Sequence, residues 1–173
     1  MIFRKAVIGD IDAIADIYSD THTLEESGKT QIGWVREVYP TRETALAALD
    51  RGDLFVGVED GKVFGTAVIN QIQVAEYYGA DWEFEADDSE IMVLHTLVIA
   101  PQEMGRGYGK AFVKFYEEYA LEFGCPYLRM DTNQKNLKAR EMYKKLGFKE
   151  RGIIPCTFNG IHGVQLILLE KKL

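Results

Sequence analysis

The strongest constraint in this chain is Gly105-Arg106-Gly107-Tyr108-Gly109, three alternating glycines between an apolar run, Ile91 to Ala100, and a helical pattern. Glycine lets a backbone turn through left-handed conformations and approach a ligand closely. The first N–H groups of a helix lack intrahelical partners, so a glycine loop that opens a helix is a natural anion seat. Arg106 and Lys110 add positive charge at the same place. Phosphate or pyrophosphate is the guest this chemistry suits.

The rest of the chain reads as alternating strands and helices. Ile2 to Val7 suits a first strand, and Asp10 is placed to cap a helix carrying Ile11, Ile14, Ala15 and Tyr18 at helical spacing. Leu24 to Tyr39 mixes polar residues with Trp34 and Val35 and is expected to hold a short helix. Thr41 caps a helix over Arg42 to Asp50, with Glu43 in its first turn and Gly52 ending it. Leu54 to Glu59 and Lys62 to Gln73 are strand-like, and Asp60-Gly61 between them is a preferred hairpin pair. Tyr77 to Glu90 is acidic and aromatic and reads as an irregular loop. After the glycine loop, Phe112, Phe115, Tyr119 and Phe123 mark one helix face, which Gly124 and Pro126 terminate. Tyr127 to Thr132 is a further strand. Asn136 caps a helix with Ala139, Met142, Tyr143 and Leu146 on one face and Gly147 at its end. Strand-like segments follow from Phe148, clearest at Val164 to Leu169. The order β-α-α-β-β-β-α-β-α-β-β implies a single α/β or α+β domain over residues 1–173 with a mixed sheet.

Charge narrows the function. Residues 1–99 hold 7 Lys and Arg against 19 Asp and Glu, while residues 100–173 hold 13 against 8. An acidic first part and a basic second part suit a protein meeting a cation on one side and a polyanion on the other. A nucleic-acid binder is more often basic throughout, and the net charge here is −7. Ile91 to Ala100 is too short to span a bilayer, and the charged N-terminal stretch forms no signal-peptide core. Cys125 and Cys156 have no ligand spacing and read as reduced thiols of a cytoplasmic protein. His22, His95 and His162 are scattered; His22 with Glu26 alone makes no metal site.

Three loop types compete for the phosphate. A P-loop fails because Met104 and Ala111 replace its first glycine and its hydroxyl residue. A dinucleotide-binding loop fits at Gly105 and Gly107, with Lys110 at its third glycine and Asp131 in place of its ribose-binding acid. The third type draws on the downstream residues. The loop, a helix, a strand and then Asn133-x-x-Asn136-x-x-Ala139-x-x-x-Tyr143-x-x-x-Gly147-Phe148 resemble the GNAT N-acetyltransferases, specifically from about His95 to Phe148, roughly a third of the chain. His95-Thr96-Leu97-Val98 with Trp82 upstream is similar to bacterial members of that family. Met104 departs from the pattern, which has Gln or Arg there, and Arg106 is expected to compensate.

The resemblance implies a central, largely antiparallel twisted sheet, flanked by helices and splayed between the strand ending at Ala100 and the strand Tyr127 to Thr132. It implies acetyl-CoA as acyl donor, no metal, and a primary amine of a small molecule, amino acid or peptide as acceptor. The acidic first part favours a cationic one; a homodimer is compatible with the sequence. Met104 through Lys110 would hold the pyrophosphate, Leu97, Val98 and Ile99 the pantetheine arm through their backbone, and Asn136 would contact the cofactor or order its loop. A main-chain N–H near Leu97 or Val98 would polarise the thioester carbonyl. Tyr143 is implied as the acid that protonates the leaving sulfur. For the base, His95 has a suitable pKa, and Glu90 with Asp87 and Asp88 is the alternative. Trp34, Tyr39, Tyr77, Tyr78 and Trp82 are candidates for the acceptor pocket. A non-catalytic acyl-CoA-binding or sensing domain is the competing class, and a nicotinamide-binding protein the third.

Overall fold

The computed structural model describes residues 1–173. The chain forms β1 (Ile2–Lys5), α1 (Ile11–Glu26), α2 (Arg42–Arg51), β2 (Leu54–Glu59), β3 (Lys62–Asn70), β4 (Ile91–Ile99), α3 (Tyr108–Glu122), β5 (Tyr127–Asn133), α4 (Leu137–Lys145), β6 (Lys149–Phe158) and β7 (Ile161–Lys172). This is the element order expected from the sequence. The seven strands form one sheet in the order β1-β2-β3-β4-β5-β7-β6. Each neighbouring pair is antiparallel except β4 and β5, which are parallel. A parallel pair requires a long crossover, and α3 supplies it. A dinucleotide-binding loop belongs to a doubly wound parallel sheet; one parallel pair in a mainly antiparallel sheet does not provide it. No helix is long and apolar enough to cross a membrane.

Both faces of the sheet are covered, so alternate residues of a strand enter different cores. From β4, Met92 and Leu94 pack beneath α3 and α4 with Phe112, Tyr116 and Leu128. Ile91 and Val93 point the other way, into a cluster with Tyr77, Leu166 and Leu168. On that second face α1 and α2 add Ile11, Ile14, Ala45 and Ala48 against Val56, Val68 and Val98. Burial on both sides explains why Ile91 to Val98 carries so little alternation in hydrophobicity.

Local signals decide most boundaries. Thr41 accepts the Thr44 N–H to cap α2, and Gly52 ends it at φ 75. Asp60 (φ 50) and Gly61 (φ 76) both take the positive φ that a two-residue hairpin turn of this kind needs. Four expectations change. No separate helix forms within Leu24 to Tyr39: α1 runs to Glu26, and residues 27–41 are irregular. Gly28 and Gly33 are left-handed there, Pro40 follows, and the Glu25 carboxylate takes the N–H groups of Ile32 (2.7 Å) and Gly33 (2.8 Å). Asp10 does not cap α1 with its side chain; its carboxylate instead receives Arg4 and the Val7 N–H. The buried ridge of α3 is Phe112, Val113, Tyr116 and Ala120. Phe115 and Tyr119 form a flanking aromatic row against Phe3 and Phe55, and Phe123 is exposed. Finally, β3 stops at Asn70, and residues 71–90 cross the second face with short 3-10 turns at Ala75–Gly79 and Asp88–Glu90.

Candidate active site

The site begins where two strands part. β4 and β5 pair from Ile91↔Tyr127 to Leu94↔Met130 and no further, although β4 continues to Ile99 and β5 to Asn133. On the other side of β4 the register steps from Val68↔His95 to Thr66↔Val98, so β4 holds one extra residue. Thr96 sits in that bulge at φ 51. A bulge bends its strand and increases local twist, which carries β4 away from β5. The β5-facing backbone of Leu97 to Ile99 is left without a ladder partner. A cavity of about 1020 Å³ opens at this fork, between β4, the glycine loop, α4 and the end of β5.

The loop forms the mouth of that cavity. Gly105 (φ 83) and Gly107 (φ 87) are left-handed, and α3 begins at Tyr108 with no side-chain cap. The N–H groups of residues 105–110 find no acceptor within the protein. A Cβ on Gly105 or Gly107 would meet nothing within 4 Å, so glycine serves the backbone conformation there and leaves space for a ligand. Gly109 differs, because a Cβ would lie 3.2 Å from the Met142 sulfur and tighten the α3–α4 contact. Lys110 lines the cavity, as does Lys138 at the start of α4, which the sequence reading passed over. Met104 also lines it and is half exposed. Arg106 does not take its place. Its guanidinium bonds Glu103, lies 3.8 Å from Glu59 and rests 5.0 Å from the Tyr108 ring centre, so its charge orders the loop itself.

Tyr143 reaches the cavity from α4 and is buried. Its ring packs edge-on to Phe148 at 6.0 Å, and its hydroxyl has no bond to the protein. Burial, with the charge of Asp131 nearby, pushes the phenol above its ordinary pKa, so it stays protonated. Asn136 caps α4 by accepting the Ala139 N–H at 3.4 Å, and its amide donates to the Thr132 hydroxyl at 3.3 Å.

His95 is the first residue of β4 past the fork. Asn70 donates its amide to Asp53 (2.8 Å), which leaves the Asn70 oxygen facing His95 Nε2 (3.1 Å). The Ile72 carbonyl is a second acceptor at 3.1 Å. Two acceptors at Nε2 place the proton there and leave Nδ1 as a lone pair. Burial lowers the His95 pKa to about 4, so the ring is neutral near pH 7 and only a weak proton acceptor. Glu90 is not at the cavity; it closes its own 3-10 turn against the Asp87 N–H. Of the aromatic candidates, Trp34 and Tyr39 line the cavity, with Tyr39 hydrogen-bonded to Thr96 at the bulge. Tyr78 is exposed, Trp82 stacks on Arg129 at 4.2 Å, and Tyr77 lies behind the cavity wall. Tyr77 donates to Asp131 at 2.8 Å. Asp131 lines the cavity in the β5 position next after the last paired residue, whereas the sequence offered it only in place of a ribose-binding acid. An acidic residue inside the strand-like Tyr127 to Thr132 run was the available signal for its place there.

Comparison with known proteins decides the family. Residues 11–148 match the acetyltransferase (GNAT) family. The chain belongs to the GNAT acetyltransferase family. Two uncharacterized N-acetyltransferases of Methanocaldococcus jannaschii are similar to it. One is 30% identical over 63% of this chain and only 44% of its own length. The other is 24% identical over 99% of this chain and 92% of its own. A GNAT acetyltransferase from Streptococcus agalactiae shares the fold with a TM-score of 0.80 at 24% identity, covering 99% and 95% of the two chains. The Salmonella typhimurium protein yncA, solved with its cofactor acetyl-CoA, shares it with a TM-score of 0.71 at 18% identity, covering 100% and 94%.

Acetyl-CoA is the acyl donor of GNAT enzymes, and the residues present fit it. The free N–H groups of 105–110 with Lys110 and Lys138 suit a pyrophosphate. The unpaired edge of Leu97 to Ile99 suits the amide-bearing arm, and both that edge and the glycine loop line the same cavity.

Proposed function

We propose that this GNAT enzyme moves an acetyl group from acetyl-CoA to a primary amine of a small molecule, amino acid or peptide by direct attack, with Tyr143 as the proton donor to sulfur. Bound acetyl-CoA supplies a thioester, an acyl carbon activated toward amines. The observation that carries the reading is the Tyr143 hydroxyl, which is buried, protonated, free of any protein partner and open to the cavity. A structural tyrosine buried to this degree ordinarily finds a hydrogen-bond partner. The backbone N–H groups beyond the bulge are suited to polarise an acyl oxygen. His95, with its proton held on Nε2, offers only the Nδ1 lone pair and is suited to orienting a water or the amine. We also read the chain as cytoplasmic, in keeping with the free thiols of Cys125 and Cys156.

The test is thiol release from acetyl-CoA across a panel of primary amines, with Tyr143→Phe beside the parent. We expect turnover in the parent and a fall of about ten-fold or more in the variant, approaching the general-acid range, with CoA affinity unchanged. Tight CoA binding with no turnover on any amine would favour the non-catalytic acyl-CoA sensor. Full activity in Tyr143→Phe would remove the residue's role.

A further inference from the structure

One cation on the acceptor side of the cavity is fixed in place yet keeps unused donors. Arg51 closes α2, where Gly52 turns the chain at φ 75 toward β2, and its side chain lines the cavity. The guanidinium is held side-on: Nε donates to Asp53 Oδ2 at 2.9 Å and Nη2 to Oδ1 at 3.1 Å. The Asp53 side chain is buried, and the Asn70 amide braces it at 2.8 Å. A guanidinium has five N–H donors in a rigid fork. Asp53 takes two of them, and Nη1 bonds nothing in the protein. The free edge, Nη1 with the second Nη2 hydrogen, is the geometry that receives a carboxylate through two parallel bonds.

The same brace ties this cation to the fork. Asn70 donates to Asp53 and turns its oxygen to His95 Nε2 at 3.1 Å, so three hydrogen bonds connect the guanidinium to the first residue past the fork. A solvated surface ion pair needs neither a buried carboxylate nor a third partner. Here both hold the fork of Arg51 in one orientation, which lowers the entropy lost when a ligand binds it. The charge balance agrees. This side of the cavity is lined by Lys29 as well as Arg51, against one acid, Asp131, whose carboxyl group burial lifts to about 7. Glu103, at the glycine loop, is taken by Arg106. Two cations against one weakened acid favour an acceptor that carries an anionic group. Trp34, Ile72, Phe158 and Ile161 add apolar wall beside them.

We propose that the acceptor is a free amino acid with an apolar side chain, its carboxylate seated on Arg51 and its amine at the fork. This rests on the acetyl-transfer reading above and narrows its acceptor. The two anchors lie as near as three hydrogen bonds allow, which suits an amine and a carboxylate on one small molecule. A peptide N-terminus has a neutral amide where the free amino acid has its carboxylate, and leaves the Arg51 edge without a charged partner. Asp53 and Asn70 are positioning residues, acting through Arg51.

The test compares phenylalanine and leucine with their amides and with phenethylamine and isoamylamine, which keep the side chain and lose the carboxylate. Turnover is followed by thiol release, amino-acid binding by calorimetry with CoA present, and CoA binding separately. In the parent, each amino acid should exceed its amide and its decarboxylated amine by about ten-fold or more in kcat/KM, the effect of a charge-assisted pair of hydrogen bonds. Arg51→Lys keeps a cation for Asp53 and removes the planar fork. It should bring the preference for phenylalanine over phenethylamine close to unity, through KM rather than kcat, while CoA binding holds. A general loss of structure would lower both substrates together. A parent that prefers the amides or the decarboxylated amines, or a folded Arg51→Lys with an unchanged KM for phenylalanine, overturns the proposal. So does a parent that acetylates other amines and neither amino acid. A parent that binds no CoA, or that binds it and acetylates no amine, overturns the underlying acetyl-transfer reading instead.

Discussion

Replacing Asp131 by Asn should stabilise the protein, and by more above pH 7 than near pH 5. In the fold, burial raises the Asp131 pKa from 3.8 to about 7, opposed by the Tyr77 hydrogen bond and assisted by Glu76. Between those values the folded protein keeps a proton that the unfolded chain has lost. Stability therefore falls as pH rises through this window and levels off above about pH 7. Three pH units at about 1.4 kcal/mol each set an upper bound of about 4 kcal/mol. The cavity admits water to the carboxylate, so we expect about 2–3 kcal/mol in practice. Asn carries no charge and still accepts from Tyr77, so the variant avoids the penalty. Urea unfolding of both proteins at pH 5 and pH 8 measures it. The unfolded chain has already lost most of this proton at pH 5, so the variant should lead by about 1–1.5 kcal/mol there, and at pH 8 it should lead by about 2–3 kcal/mol, or roughly 4–12 °C in Tm. Titration of His95 and other groups is common to both proteins and cancels. A difference that does not change with pH, or a variant weaker at pH 8, would refute the view that no cation compensates this carboxylate.

Glu170→Leu should destabilise the protein by about 3–5 kcal/mol in urea unfolding, because it strands the buried Arg129, 3.6 Å away, without its carboxylate. Gly33→Ala should lower stability by about 1–3 kcal/mol in thermal unfolding, since Gly33 sits at φ 85 and a Cβ there would strike the Asn133 amide. Its effect on turnover should appear in the KM for amine rather than for acetyl-CoA, because that connection roofs the acceptor side. Lys110→Ala should weaken CoA binding by about three- to ten-fold, more at low salt than at high salt, as expected of one screened charge near a phosphate.

Much of the site was legible before folding because its chemistry depends on local backbone. Gly105 and Gly107 are glycines because φ is positive at both, and Asn136 is a cap because α4 starts there. Such demands fall on single residues and leave a mark in the sequence. Arg106 shows the limit. Its charge suited the anion, yet Glu103 and Glu59 capture it, and neither partner could be weighed without the three-dimensional arrangement. Glu90 failed for the same reason, since its own turn holds it away from the cavity. The acidic first part pointed toward a cationic acceptor, whereas both carboxylates that line the cavity, Glu103 and Asp131, come from the basic second part.

By itself, the sequence determined the order of elements, the anion-binding loop and the tyrosine on α4, because apolar periodicity, turn residues and caps act over a few neighbours. Only the tertiary structure decided the fork between β4 and β5 and what meets there. Pairing register, a bulge at Thr96 and the burial of Asp131 against Tyr77 arise between residues distant in the chain. The proton affinity of a buried carboxylate is set by its surroundings, and those surroundings are assembled by the fold.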